Sequence, residues 1–354
     1  MRVPRRRPLR VEVAAFIRLL TAGALCKAEN RDAGGLTSFT RLLQSASPVM
    51  PAHLYGPFRK RLDAFTYELE GIEAGNVEAV HHARVASRRL RELLPLLELD
   101  RDVTRNLSRR LRKVTNQLGA VREADVLMLL MQEISKDSRY PEMAVKQIGG
   151  TAARAGAVAR ERLSTKLPTA KLKRLARKLE RVSKGLDSNE AGTDRRGASS
   201  PRSVRLWALE AQLTRRASRV REAVEAAGAV YVPEPLHGVR IAVKKLRYVA
   251  ELAAGSTRKR IAADIAALKA VQDLLGRLHD FEMLLVRARE AQASVSPPDL
   301  AAWRDLGSVI HIVQDECRRL HARYMHDRSG LRAIAHRMGT SAREAQPVGR
   351  RTAS

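Results

Sequence analysis

The sequence predicts an all-α chain built from two related halves, and three observations carry that reading. Aromatic residues are scarce, at 4%, while Leu, Ala and Arg abound, which favours helices over a β-rich fold. Apolar residues recur at helical spacing through most of the length. One twelve-residue stretch occurs twice. Val80-His81-His82-Ala83-Arg84-Val85-Ala86-Ser87-Arg88-Arg89-Leu90-Arg91 returns 156 residues later as Leu236-His237-Gly238-Val239-Arg240-Ile241-Ala242-Val243-Lys244-Lys245-Leu246-Arg247.

Taken in order, residues 1–50 read as a basic N-terminal arm, largely irregular, with Arg5-Arg6-Arg7 near its start. Glu12 and Arg18 interrupt the apolar stretch that follows, so it makes a poor signal peptide. It reads as an amphipathic arm or as a start site placed too early. The first helical repeat is expected over 51–182. Phe58, Leu62, Phe65 and Leu69 share one face, and Gly71 to Asn76 breaks that helix. A stripe helix follows from Val77 to Leu99, with a kink at Pro95. An Arg-rich helix covers Asp102 to Leu118 and is expected to break at Gly119. An apolar helix then runs from Ala124 to Ile134, and two Ala/Arg/Lys-rich helices fill 142–182.

Residues 183–202 lose their periodicity and read as a flexible linker. The second repeat is expected over 203–330. Its helix at 203–227 precedes Pro233, Pro235 and the second stripe helix. A helix at 256–275 is expected to end at Gly276, with another from near 280. Residues 331–354 read as a C-terminal tail. The repeat extends past the stripes: Leu118-Gly119-Ala120-Val121-Arg122-Glu123-Ala124-Asp125-Val126 matches Leu275-Gly276-Arg277-Leu278-His279-Asp280-Phe281-Glu282-Met283, 157 residues on.

On a helix turning about 100° per residue, His81, Arg84, Arg88 and Arg91 fall within roughly 80° of one another. His237, Arg240, Lys244 and Arg247 do the same. Each stripe has one sign, with no acid inside it to form the usual surface pairs, and like charges at this spacing destabilise a helix. With a formal net charge of +28, such faces call for a polyanion. Arg112 and Lys269, equivalent in the repeat, are expected to join the stripes, as are Arg89, Lys113 and Lys245. Two readings stand for the acids Glu123, Asp125, Asp280 and Glu282. Either they cap helix starts, or they pair with Arg89 and Lys245 and fix the stripes in place. His81 and His237 each lie one turn from an arginine, so both are expected to stay neutral when free and to gain a proton with a bound polyanion.

Other chemistry is argued against. The chain has two cysteines, Cys26 and Cys317, far apart, which make neither a zinc site nor a disulfide framework. A reducing cytoplasm fits them. No P-loop and no acid cluster suited to Mg²⁺ stands out, so neither catalytic residues, metal ligands nor a cofactor are expected. His82, His279, His311, His321, His326 and His336 lack ligand spacing. Nucleic acid is the competing partner, bound non-specifically, but single-strand platforms stack bases on aromatics, and the stripes offer at most Tyr248. No run approaches a membrane span.

These motifs resemble the CHAD family. Its HxxRVxxRRLR stands at His81–Arg91 and its HxxRxxxKKLRY at His237–Tyr248. Its LGxxRDxDV stands at Leu118–Val126, with Glu123 where Asp is usual, and its LGxLHD at Leu275–Asp280. The resemblance covers about residues 50–330. It implies two pseudo-symmetric antiparallel four-helix bundles with a basic central groove or pore. It also implies binding of inorganic polyphosphate and association with polyphosphate granules. The ExExK motif of the CYTH domain often joined to this family does not occur here, which leaves an accessory subunit of a phosphate- or triphosphate-processing enzyme as a further alternative.

Overall fold

The structure is a computed structural model and describes residues 55–97, 99–193, 201–254, 259–296 and 299–344. The expected N-terminal arm lies outside these. Every regular element among the described residues is helical.

Helix α1 (Tyr55–Tyr67) buries Phe58, Leu62 and Phe65, a spacing of four and three that places all three on one face. Helix α2 (Leu69–Glu73) is short, and Gly75 turns the chain out of it at φ 73°, where only glycine is unstrained. Asn76 then starts α3 (Val77–Leu93), its side-chain oxygen accepting from the amides of Glu78 and Ala79. The first stripe helix ends before the expected Leu99, in a 3₁₀ turn at Leu94–Leu96, because Pro95 supplies no amide to continue the ladder.

Asp100 caps α4 (Arg101–Ile134), which runs unbroken through Gly119. The expected break at Gly276 is also absent: α9 (Lys259–Ala293) passes straight through it. An interior glycine costs only about 1 kcal/mol relative to alanine, and packing along helices of this length offsets it. The four acids therefore lie mid-helix, and the reading that they cap helix starts is overturned.

Between these, α5 (Glu142–Lys166) and α6 (Thr169–Thr193) are separated at Pro168. Helix α6 continues eleven residues into the expected linker, with Ser183 buried, and only 194–200 of that stretch lie outside the described residues. Helix α7 (Pro201–Ala227) ends at Gly228, φ 60°, and α8 (Pro233–Ala253) carries Pro233 in its first turn, where the missing amide costs nothing. The expected tail is also corrected. Helix α10 (Leu300–Glu344) buries Leu331, Ile334, Ala335 and Met338, which keep helical spacing.

Two hydrophobic cores form, and they do not follow the repeat boundary. One holds α1 to α3, the first half of α4, the end of α5 and α6. The other holds α7 to α10 together with Leu127, Leu130, Met131 and Ile134 of α4 and Val145 and Ile148 of α5. Helices α4 and α5 thus belong to both cores. Val249 of the second stripe helix packs in the first core, which draws α8 against α3.

Candidate anion-binding site

Helix α3 buries Ala83, Ala86, Leu90 and Leu93, and α8 buries Val239, Ala242, Val243 and Leu246. With those faces committed to the cores, the cationic faces are left to each other. Four cations meet where the helices approach: Arg84 and Arg88 from α3, Arg240 and Lys244 from α8. Arg88 is only 8% exposed and the other three are half-buried.

Their charges are felt mutually. Burial, then Arg88, holds the Arg84 guanidinium down at about 10, with Arg240 adding to the effect and Glu123 opposing it. Arg240 is lowered by burial first, with Asp280 opposing and Arg88 adding. Lys244 is moved furthest, to about 6, by burial and then by Arg88, Arg240, Arg84 and Lys245. Among the described residues, none of the groups that chiefly act on it is a carboxylate, and no ion pair joins it to an acid.

The two glycines lie against stripe arginines of the neighbouring helix. A Cβ on Gly119 of α4 would lie 3.3 Å from Arg84 Nε, and one on Gly276 of α9 would lie 3.8 Å from Arg240 Nε. Gly119 makes room for the Arg84 guanidinium, whereas at Gly276 a Cβ would meet Arg240 in ordinary contact. Arg84 Nε and His237 Nδ1 are buried with no hydrogen-bond partner.

At one end of the site, His81 is held down at about 4, by burial first and then by Arg122, His82, Arg84 and Arg88. His237 is lowered by burial, then by His279, whose ring centroid is 4.7 Å away, and by Arg240 and Lys244. Both shifts run in the expected direction, but burial outweighs the neighbouring arginines as their cause. His82 turns away and meets Glu68 at 3.1 Å.

At the other end, acids brace the cations. Arg247 donates to Glu251 at 2.8 Å and to Gln272 at 3.2 Å, and Arg89 lies 3.5 Å from the same Glu251. Both stack on Tyr248, with guanidinium carbons 5.1 and 5.2 Å from the ring centre. Lys245 is lowered by burial and opposed by Glu92, which accepts from Arg216 at 2.6 Å. Arg91 and Arg112 stand in this same group of charges. Arg112, Lys113 and Lys269 are exposed, and Lys269 acts on Asp273 of its own helix.

The acids of the repeat do not pair with Arg89 and Lys245. Asp125, 4% exposed, is bound by Arg160 of α5. Glu282 accepts from the Tyr231 hydroxyl at 3.2 Å and lies 3.5 Å from His279 Nδ1. Glu123 and Asp280 act on the stripe arginines instead. Burial raises the Asp280 carboxyl, against Arg240, His279, Arg277 and Arg122.

Three cations were not anticipated. Arg122 was visible as the repeat partner of His279. Arg216 and Arg61, the latter lowered by burial and then by Arg89, had no motif to mark them.

The family description "CHAD domain" matches residues 57–289, which include both stripe helices and both glycines. This chain belongs to the CHAD domain family. In this CHAD protein α10 lies beyond the matched residues yet contributes Leu306, Val309 and Val313 to the second core. Among solved structures, it is similar to the CHAD domain from the plant Ricinus communis, at 21% identity over 79% of this chain and 89% of that one, with a TM-score of 0.49. It is also similar to PptA from Streptomyces chartreusis, at 18% identity over 84% of this chain and 100% of that one, TM-score 0.49. Comparison with curated proteins gave no match. No described helix is long and apolar enough to cross a membrane.

Proposed function

We propose that this CHAD protein binds inorganic polyphosphate between its two stripe helices, without turning it over, and associates with polyphosphate granules in the cytoplasm. The observation that carries this reading is the central quartet, Arg84, Arg88, Arg240 and Lys244. Four cations held together without a paired acid repel one another, and a bound polyanion relieves that repulsion. Arginines supply forked donors to phosphate oxygens and the lysine supplies point charge. Pseudo-two-fold symmetry of two four-helix bundles accounts for the way equivalent residues of the repeat meet here, Arg84 with Arg240 and Arg88 with Lys244.

Nucleic acid is the weaker candidate. Tyr248 is the aromatic of the stripes, and it is covered by Arg88, Arg89 and Arg247, so no face is left for a base. Competition between long-chain polyphosphate and single-stranded DNA at equal phosphate concentration tests this. Polyphosphate is expected to displace the DNA; displacement in the opposite direction overturns the proposal. Steady release of phosphate from polyphosphate by the pure protein, abolished by Arg84→Ala, would overturn its non-catalytic part.

A further inference from the structure

We propose that Glu251 is an internal competitor for the ligand. Its carboxylate fills a phosphate position between Arg89 and Arg247, and a polyphosphate chain runs past the central quartet only by displacing it. This rests on the proposed binding site and names what limits that site's reach.

The contacts at this end of the site define an anion position. Arg247 Nη1 lies 2.8 Å from one Glu251 oxygen, and Arg89 Nη2 lies 3.5 Å from the other. Arg89 belongs to α3 and Arg247 to α8, so one carboxylate bridges the two stripe helices. Tyr248 ties that bridge to the quartet. The guanidinium carbons of Arg89, Arg247 and Arg88 stand 5.1, 5.2 and 6.0 Å from its ring centre. An anion held by Arg88 therefore finds its next two guanidinium groups around the same ring, and that pair is already taken. Carboxylate and phosphate present the same paired oxygens to guanidinium. The room for a phosphate here is the room the carboxylate fills.

Two features make the carboxylate displaceable. The Glu251 side chain is 28% exposed, so it can turn to solvent without stranding a buried charge. Arg89 is also held loosely, and its Nε is buried with no hydrogen-bond partner among the described residues. Arg247 is held more firmly, because it also donates to Gln272 at 3.2 Å. A single phosphate has to compete with a carboxylate tethered in place. A chain anchored at the quartet presents its next phosphates at high effective concentration and takes the position. The duplication gives Glu251 no counterpart: 156 residues earlier stands Pro95.

The test titrates long-chain polyphosphate into wild type and Glu251→Gln at several salt concentrations. Glutamine keeps the size of the side chain and removes its charge. Affinity is expected to rise about tenfold at low salt. The fall of log K with log salt should steepen by about 0.7 to 1.4, as one or two cations join the ligand. Glu222→Gln removes the same charge from an exposed pair with Arg219 and should change affinity less than about twofold. Adding Arg89→Gln to Glu251→Gln is expected to cancel most of the gain. A gain no larger than that of Glu222→Gln, or one that survives Arg89→Gln, overturns the proposal. Arg89→Gln alone probes the same contact with Glu251 intact. It is expected to cost less than about threefold in affinity, against about tenfold for Arg88→Gln; equal losses overturn the proposal. Wild-type binding that Glu251→Gln leaves unchanged overturns this inference alone. Binding by neither chain overturns the proposed function, and this inference with it.

Discussion

On α3, His81 lies beside Arg122; on α8, the His237 ring meets His279 at a tilt, with Glu282 and Tyr231 behind it. The repeat places Arg122 and His279 at equivalent positions, and likewise Asp125 and Glu282. Yet the first acid is locked to Arg160 of α5, while the second is left to a hydroxyl and an imidazole. The stripe cations are nearly the same in both halves, and what surrounds them is not. Beside His81 stands a guanidinium, and beside His237 a second imidazole. A duplicated motif can thus keep its cations while the groups packed beside its two copies diverge.

The largest test removes what the halves share. Arg84→Ala with Arg240→Ala is expected to weaken long-chain polyphosphate binding by about 100-fold at low salt. It should also flatten the dependence of log K on log salt by about 1.5, as read by titration at several salt concentrations. An unchanged slope would place the ligand elsewhere. Next comes the contrast between the acids. Arg160→Met strands the buried Asp125 carboxylate and is expected to cost about 2–3 kcal/mol in urea unfolding. Tyr231→Phe takes one donor from Glu282 and should cost about 1 kcal/mol or less. Equal losses would erase the distinction between the halves.

A pH series sharpens the comparison further. Free Lys244 sits at about 6 and His81 at about 4, so both are largely unprotonated at neutral pH. A bound polyanion raises both, so the complex takes up protons. Affinity should therefore fall as pH rises above 6, by up to about tenfold per unit for one proton. Lys244→Arg is expected to remove the slope between pH 7 and 8, whereas His81→Gln leaves it. Calorimetry in buffers of different ionisation enthalpy measures the same protons. The smallest effect separates the glycines. Gly119→Ala pushes on Arg84 and should weaken binding a few-fold. Gly276→Ala meets only ordinary contact and should leave binding alone while stabilising its helix by about 1 kcal/mol.

Much of this was legible in the sequence because it is local. Periodicity located the stripe helices and the repeat, and the face each helix buries follows from spacing alone. Neither Gly119 nor Gly276 breaks its helix: a glycine signals a break in local terms, and the use made of Gly119, room for the Arg84 guanidinium, depends on a neighbouring helix. The same limit hid the braces: Glu92 and Arg216 are 124 residues apart. The burial of Leu331, Ile334, Ala335 and Met338 is a different case. Their spacing is helical, but the polar residues around them, Arg, His and Ser, dilute that signal.

The unbroken passage of α4 and α9 through the glycines has a mechanical consequence. A helix without a joint is a stiff rod, and against these two rods pack α3 and α8, whose stripe cations recur about once per turn of about 5.4 Å. Between such rods the spacing of the charges is set by the protein. The compliance has to come from the ligand. A duplex with a persistence length of about 50 nm cannot crumple its phosphates onto one helix crossing, whereas a thin, freely jointed chain can. On the proposed function, stiffness in the protein would sort polyanions by how easily they bend, before any chemical contact discriminates among them.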